Sequence, residues 1–430
     1  MQIGRHLFAL LLLFSAAAAA APAEDAGRPW TLEECIRTAW ARHGDSLAAD
    51  ENTEAARAQL RGASSSLWFP TLSARSTRNQ SHTEAQQGGT SIRRTGDTSD
   101  TQHTLTATVS LWDGGTQHLA VRQARAGQIS ADESRRRTRQ LLAYSVTSAY
   151  VGLLRAQHAL DVANREIEQA RETKRVIQGL IDAGTRAEVD IYPIDAQLAS
   201  ARVSQIRAAS DARVAASALR NAMGLDAGPA PKIQEMPQEL PEAPALDQCR
   251  EQALADRPDV LQSMASTDRN RASLALARLR TLPQLTSGAR YDRGLGNSSV
   301  NMQWSINAVL SWSFYDRGDR AAVQSTEAGL RATEAQHDQL LRDIVAEIEQ
   351  AHLDLASARE RVDAARASVA AARKNLDVVQ ARFEQDLAIP LEIVDAQVTL
   401  RNAELQAIGA RYDYFLARAQ LDRAMGRDYE

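Results

Sequence analysis

Residues 300–314 read Val-Asn-Met-Gln-Trp-Ser-Ile-Asn-Ala-Val-Leu-Ser-Trp-Ser-Phe. Val300, Met302, Trp304, Ile306, Ala308, Leu310, Trp312 and Phe314 fall on one side of a period of two. Asn301, Gln303, Ser305, Asn307, Ser311 and Ser313 fall on the other, and Val309 is the one break. Successive side chains of an extended strand point to opposite faces, so this stretch predicts a long strand with one apolar and one small-polar face. A second stretch repeats the pattern, with Leu105, Ala107, Val109 and Leu111 alternating with Thr104, Thr106, Thr108 and Ser110. Weaker partners lie at about 70–80 (Leu72, Ala74) and about 283–292 (Leu285, Ala289, Tyr291). The pairs predict two hairpins, about 70–113 and about 283–315, with polar loops at about 81–100 and 292–299.

Strands of this length and alternation fit a transmembrane β-barrel. Met302, Trp304, Ile306, Leu310 and Trp312 are then the lipid-facing residues. Trp68, Phe69, Trp112, Trp312, Phe314 and Tyr315 gather where the strands end, as an interfacial aromatic girdle would. A soluble sheet with one buried face gives the same alternation, but strand length, aromatic placement and an export signal together favour the barrel. One chain supplies four strands. A barrel needs about eight at least, and no open edge survives in lipid, so several chains must build it.

The hairpins belong to a duplication. Leu32-Glu33-Glu34-Cys35 returns as Leu246-Asp247-Gln248-Cys249, and Asp45 as Asp259. Pro70-Thr71-Leu72 returns as Pro283-Gln284-Leu285, and Asp113-Gly114-Gly115 as Asp316-Arg317-Gly318. Asp195-Ala196-Gln197 returns as Asp395-Ala396-Gln397, and LRNAMGLD (219–226) as LDRAMGRD (421–428). Six anchors in one order mean one unit built twice. The first copy carries about ten extra residues, placed in its hairpin loop. The copies span 24–226 and 246–430, and residues 227–245, with Pro229, Pro231, Pro237, Pro241 and Pro244, form an extended linker.

Each Asp-Gly anchor opens a long helical stretch, about 116–183 and 319–385. Leu141, Tyr144, Ala149, Leu153 and Leu160 recur near helical spacing, as do Leu341, Ile344, Ile348, Ala351 and Leu355. Each stretch would be about 100 Å long, so the two must lie side by side in an elongated object. Shorter helices at about 31–66 and 187–224 sum to nearly the same length and would line the first rod end to end.

Residues 1–23 read as a secretory signal peptide: Arg5 and His6, an apolar run Leu7–Leu13, then Ala21-Pro22-Ala23 as a cleavage site. No cysteine accompanies that site, which points away from a lipid anchor. Cys35 and Cys249 hold equivalent places, either as a disulfide, which export permits, or as two small buried thiols; the second is preferred. A formal net charge of −4 offers no basic footprint for nucleic acid. The eight histidines are scattered, and no catalytic or metal-ligand motif appears. Neither enzyme activity, a cofactor nor a metal site is expected.

In its order of parts the chain resembles the TolC family of outer-membrane efflux proteins. The likeness covers about 30–430. It rests on the duplicated helix–hairpin–long helix–helix unit, on Trp30-Thr31-Leu32-Glu33-Glu34-Cys35, and on Leu111-Trp112-Asp113-Gly114-Gly115. The segments from Gly184-Thr185-Arg186 to Gln197 and from Glu392 to Gln397, with the closing L-x-x-A-M-G, complete it. The resemblance implies a mainly α fold with a transmembrane β-barrel: a homotrimer with a 12-stranded barrel in the outer membrane and a 12-helix periplasmic tunnel. It also implies a collar from chain ends and linker, and partners in a periplasmic adaptor and an inner-membrane pump that supplies the energy.

Acidic residues follow the turns near Gly184 and Asp386: Glu188, Asp190 and Asp195 in the first copy, Glu392 and Asp395 in the second. The resemblance implies that Glu392 and Asp395 ring the tunnel entrance, where carboxylates would favour cations; acids there also complement helix N-termini. Asp190 and Asp195 join them as gate candidates. At two gate-lock positions the chain departs from the family prototype, with Phe383 for a Tyr and Ala388 for an Arg, and Asp386 replaces the turn Gly. Neither Phe nor Ala makes those polar links. Two other readings remain open: an outer-membrane component of type I protein secretion, and a soluble periplasmic coiled-coil adaptor.

Overall fold

A computed structural model describes residues 28–86, 93–296, 300–385 and 387–429. The expected signal peptide and Asp386 lie outside these residues. The chain runs α1 (Leu32–Arg42), α2 (Gly44–Ser65), β1 (Thr71–Gln86), β2 (Arg93–Trp112) and α3 (Thr116–Asp182). A short 3₁₀ turn (Glu188–Ile191) and α4 (Tyr192–Ala222) follow. The order then repeats as α5 (Leu246–Asp256), α6 (Pro258–Leu279), β3 (Gln284–Gly296), β4 (Val300–Ser311), α7 (Arg317–Glu384) and α8 (Pro390–Ala424). α3 has 67 residues and α7 has 68, about 100 Å each.

The duplicated anchors have local physical reasons. Asp113 accepts from the backbone N–H of Gly115 and Gln117 at 2.9 and 2.7 Å, and Asp316 from that of Gly318 at 2.7 Å. Each carboxylate caps the start of a long helix. The first companion helix is not continuous, contrary to the expectation over 31–66: it breaks at His43, as its counterpart breaks at Arg257. Both break residues are extended, and Pro258 enforces the second. Gly224 and Gly426, from the repeated A-M-G, have φ of +68° and +70° and pack onto these breaks. A Cβ at Gly224 would lie 2.9 Å from the His43 backbone, and one at Gly426 would lie 2.8 Å from Arg257 Cγ. Only glycine satisfies both demands.

α2 runs along the strand-side half of α3, where Thr53 bonds the Ala131 carbonyl and Arg139 meets Asp50 at 3.1 Å. α4 lines the far half, with Gln205 on Asn164 at 2.7 Å. The apolar stripe of α3 runs through Leu142, Val146, Tyr150, Leu153 and Leu154, all buried, whereas Leu141 is exposed. The expected stripe was displaced by one residue there because alanine and leucine share several faces. In α7, Ile344, Ile348, Ala351 and Leu355 are buried as the spacing predicts.

All four strands join one antiparallel sheet in the order β1-β2-β3-β4. The strands reach further than their sequence patterns did. Much of 81–100 and 292–299 is strand, and the extra residues of the first copy lengthen β1 and β2 to 16 and 20 residues, against 13 and 12 for β3 and β4. The sequence there is polar at odd and even positions alike, with no apolar alternation to mark a strand. β2 pairs with β3, which fuses the hairpins across the repeats. Trp312 lies past the end of β4, where its indole N–H donates to the Thr281 carbonyl at 3.1 Å.

Tyrosines strap the linker to the helices at mid-length. The Tyr150 hydroxyl donates to the Gln234 carbonyl at 2.6 Å and lies 3.1 Å from that of Trp30, Tyr414 donates to the Pro241 carbonyl, and Trp30 bridges Ile233 in parallel. Cys35 and Cys249 are buried and unpaired. Burial pushes the Cys35 thiol up to about 12, with Glu34 adding to it, and burial also raises Cys249.

Candidate functional site

Register resolves the two faces of the sheet. Leu72 pairs with Ala107, Ala107 with Ala289 and Ala289 with Ile306; Ala74, Leu105, Tyr291 and Trp304 form the next row. All lie on one face. Met302, Trp304, Ile306 and Leu310 are 65–74% exposed within the single chain, an apolar surface that no described residue covers. The other face carries Ser73, Thr106, Arg290 and Ser305 in one row and Arg75, Thr104, Asp292 and Gln303 in the next. Arg290 meets Asp292 at 2.6 Å, and Thr104 donates to Asp292 at 2.7 Å.

At the opposite end the turns of the two copies pack on one another. Ile177, Ile191 and Ile194 of the first copy share a core with Leu376, Val379, Phe383, Ala388, Ile393 and Leu400 of the second. Phe383 and Ala388 are buried in it. Arg186 crosses from the first turn to both. Its guanidinium lies 5.1 Å from the Phe383 ring centroid, within cation–π range, and it donates to the Ala388 carbonyl at 3.4 Å. The link that those two side chains cannot supply as polar groups is thus made to a ring face and to a backbone oxygen.

The four acidic candidates are not equivalent. Asp195 is in an ion pair with Lys174 at 2.5 Å. Glu392 accepts from the Ile389 backbone N–H at 3.4 Å and lies 3.5 Å from Arg382, as a helix-end acid does. Asp190, on the 3₁₀ turn, and Asp395, exposed on the first turns of α8, make no ion pair among the described residues.

Sequence reasoning missed the residues at the centre of this end. Gln197 and Gln397 are both buried, and Gln197 Nε2 donates to Gln397 Oε1 at 3.0 Å. Gln397 in turn donates to Thr173 at 3.2 Å. The signal was present, because both glutamines close the repeated Asp-Ala-Gln. Equivalent positions of two repeats meet only on their shared axis, and nothing in the spacing says which positions those are. Among the described residues no group of acids, histidines or cysteines is arranged to hold a metal ion.

The family model for outer membrane efflux proteins matches residues 35–225 and 249–427, one match per copy. The alkaline protease secretion protein AprF of Pseudomonas aeruginosa is 24% identical over 311 residues, which cover 70% of this chain and 64% of AprF. The chain therefore spans just under two thirds of that relative's length. The probable efflux pump outer membrane protein TtgC of Pseudomonas putida is 22% identical over 92% of this chain and 82% of its own. The outer membrane channel CmeC of Campylobacter jejuni superposes with a TM-score of 0.78 at 17% identity, covering 92% of this chain and 85% of CmeC. A soluble coiled-coil adaptor fits none of these. The duplicated fold and the family match across both copies agree: the chain belongs to the outer membrane efflux proteins, in the outer membrane and extending into the periplasm.

Proposed function

We propose that three copies of this chain close into a passive channel-tunnel that carries substrates from a periplasmic adaptor and inner-membrane pump to the cell exterior. The observation that carries this reading is that one chain is an open arc at every level. The sheet ends in two free edges, β1 and β4. Next to it the helices pack in the order α2-α3-α6-α7, and at the far end in the order α4-α3-α8-α7. Each layer has four members and leaves α7 at one edge. Joining β4 to the next copy's β1, and α7 to its α2 and α4, is a head-to-tail contact that closes on rotation. It also covers Val203, Ile206 and Val214 of α4 and Leu353 and Val378 of α7, all exposed in the single chain. Three copies give 12 strands, the number the family resemblance implies, with Ile306 and Leu310 toward lipid and Ser305 and Asn307 toward the lumen. A signal peptide over 1–23 and the division into copies at 24–226 and 246–430, joined by the linker 227–245, belong to this reading.

The tip is the gate. Asp190 and Asp395 bring three uncompensated carboxylates each toward the threefold axis. Such a ring concentrates cations and repels anions. Glu392 and Asp195 contribute less, because Arg382 and Lys174 already face them. Arg186 holds the two tips of one chain together and sets the resting aperture. Small-molecule efflux is the preferred cargo class, in line with the name of TtgC. The name of AprF favours protein secretion as the second reading, and the pump, not the tunnel wall, selects between them.

Planar-bilayer recording tests the proposal. The assembly should conduct, prefer cations and be partly blocked by divalent cations from the periplasmic side. Asp395→Ala should weaken that block about tenfold, as loss of a ring of charges does, and Arg186→Ala should raise resting conductance. Absence of any conductance from an inserted oligomer would refute the channel, and an unchanged block in Asp395→Ala would refute the ring.

A further inference from the structure

Aromatic rings bracket the apolar face of the sheet at two heights. Trp112, Trp312, Phe314 and Tyr315 lie at the helix end, all exposed. Tyr291 and Trp304 are cross-strand partners nearer the loops, 40% and 74% exposed. From Trp312 to Met302, which pairs with Arg293, is about 33 Å of extended chain; tilted by about 40° it rises about 25 Å, the height of the apolar band of an outer-membrane barrel. Immediately beyond the upper pair, basic side chains join Met302 and Leu295 on the same face. Arg293 follows Tyr291 by one side-chain row, His103 lies directly opposite Arg293, and Arg78, opposite Thr101, occupies the next row on β1. All three are exposed. Neither Arg78 nor Arg293 makes an ion pair among the described residues, whereas Arg290 on the inner face is matched by Asp292.

We infer that Arg78, His103 and Arg293 form an outward phosphate-binding rim, which grips the phosphate groups of phosphorylated lipid headgroups at the outer boundary of the membrane. The inference rests on the barrel reading above, which places this face toward lipid. A guanidinium presents a planar fork that bonds phosphate oxygens in pairs. Its aliphatic stem can lie along the apolar band while the charge reaches the headgroup level. Neither arginine is ion-paired among the described residues, and an anionic lipid surface supplies a partner for both. The rim would occur once per copy and anchor the barrel vertically, complementing the aromatic girdle below.

The test is native mass spectrometry of the full-length protein in neutral detergent, titrated with a diphosphorylated diglucosamine lipid. R78Q/R293Q should lower the apparent affinity by at least about tenfold, since each basic group near an anionic surface is worth about one factor of five. Arg75→Gln, on the inner face of the same strand, should leave it unchanged. The dephosphorylated lipid should bind the unsubstituted protein no better than the phosphorylated lipid binds the double variant, and inorganic phosphate at equal concentration should not displace the lipid. If the double variant fails to assemble, R78Q and R293Q alone decide, each expected to weaken binding severalfold. Equal affinity in an intact oligomer, equal binding of the dephosphorylated lipid, or displacement by inorganic phosphate overturns the rim alone. A monomer in the same spectra overturns the barrel reading beneath it.

Discussion

The two copies share a backbone and divide the chemistry laid upon it. At the helix break the first copy has His43, whose ring accepts from the Asp45 N–H at 3.2 Å near the surface. The second has Arg257, only 3% exposed, which is paired with Asp259 at 2.6 Å and Glu347 at 2.7 Å and donates to the Ala424 carbonyl at 2.9 Å. At the tip the order of burden reverses. Asp195 is matched by Lys174, whereas at the equivalent positions Asp395 and Lys374 make no ion pair among the described residues. What both copies keep is what the backbone requires: the capping Asp, the break, and the glycine that packs on it. What they vary is charge. The second copy spends its buried ionic network on holding α5, α6, α7 and α8 together, and at its tip Asp395 has no ion pair among the described residues.

This contrast breaks first at the helix breaks. Removing Arg257 by substitution to Ala strands Asp259 and Glu347 in a partly buried site and should cost about 3–5 kcal/mol. His43→Ala loses one exposed cap and should cost about 1 kcal/mol or less. Chemical denaturation of the assembled protein measures both, and equal costs would dissolve the distinction. The same network gives a pH signature. Burial raises the Asp259 carboxyl, but hydrogen bonds and charge from Arg257, then Arg137 and the Val260 N–H, leave it below its ordinary value of 3.8. A depressed native value means that its contribution is complete above 3.8 and is lost as pH falls through the lower native one. Asp259→Asn should therefore destabilise the protein at neutral pH and flatten the acid limb of its stability curve.

The smallest effect belongs to the tip lysines. The Lys174–Asp195 pair is about half exposed, so Lys174→Ala should cost at most about 1 kcal/mol. It should nevertheless raise cation preference in bilayer recordings by unmasking a second acid, while Lys374→Ala, with no pair to break, leaves stability unchanged. Equal stability loss in the two variants would mean that Lys374 has a partner at the assembled tip.

Much of this was legible in the chain. Alternation over 300–314 gave the sheet, and six repeated anchors gave the doubling, because both reflect backbone periodicity that side chains must obey. The helix break at His43 was not legible, since no proline marks it as Pro258 marks the second. The strand extensions were hidden because their sequence is polar at odd and even positions alike. Asp195 and Glu392 were found as acids near the tip, but their partners Lys174 and Arg382 lie a full turn structure away, at separations that sequence cannot convert to distance. Only packing shows that Arg186 reaches Phe383 and Ala388.

The most direct measurement is the mass of the purified assembly in mild detergent, alone and with one arc edge spoiled. The unsubstituted protein should have three times the mass of its chain, and Ile206→Asp, which puts charge on the free face of α4, should shift it to monomer without loss of helix content. A stable, helical monomer of the unsubstituted chain, or a trimer indifferent to charge at Ile206, would contradict the closure of the arc by copies of itself.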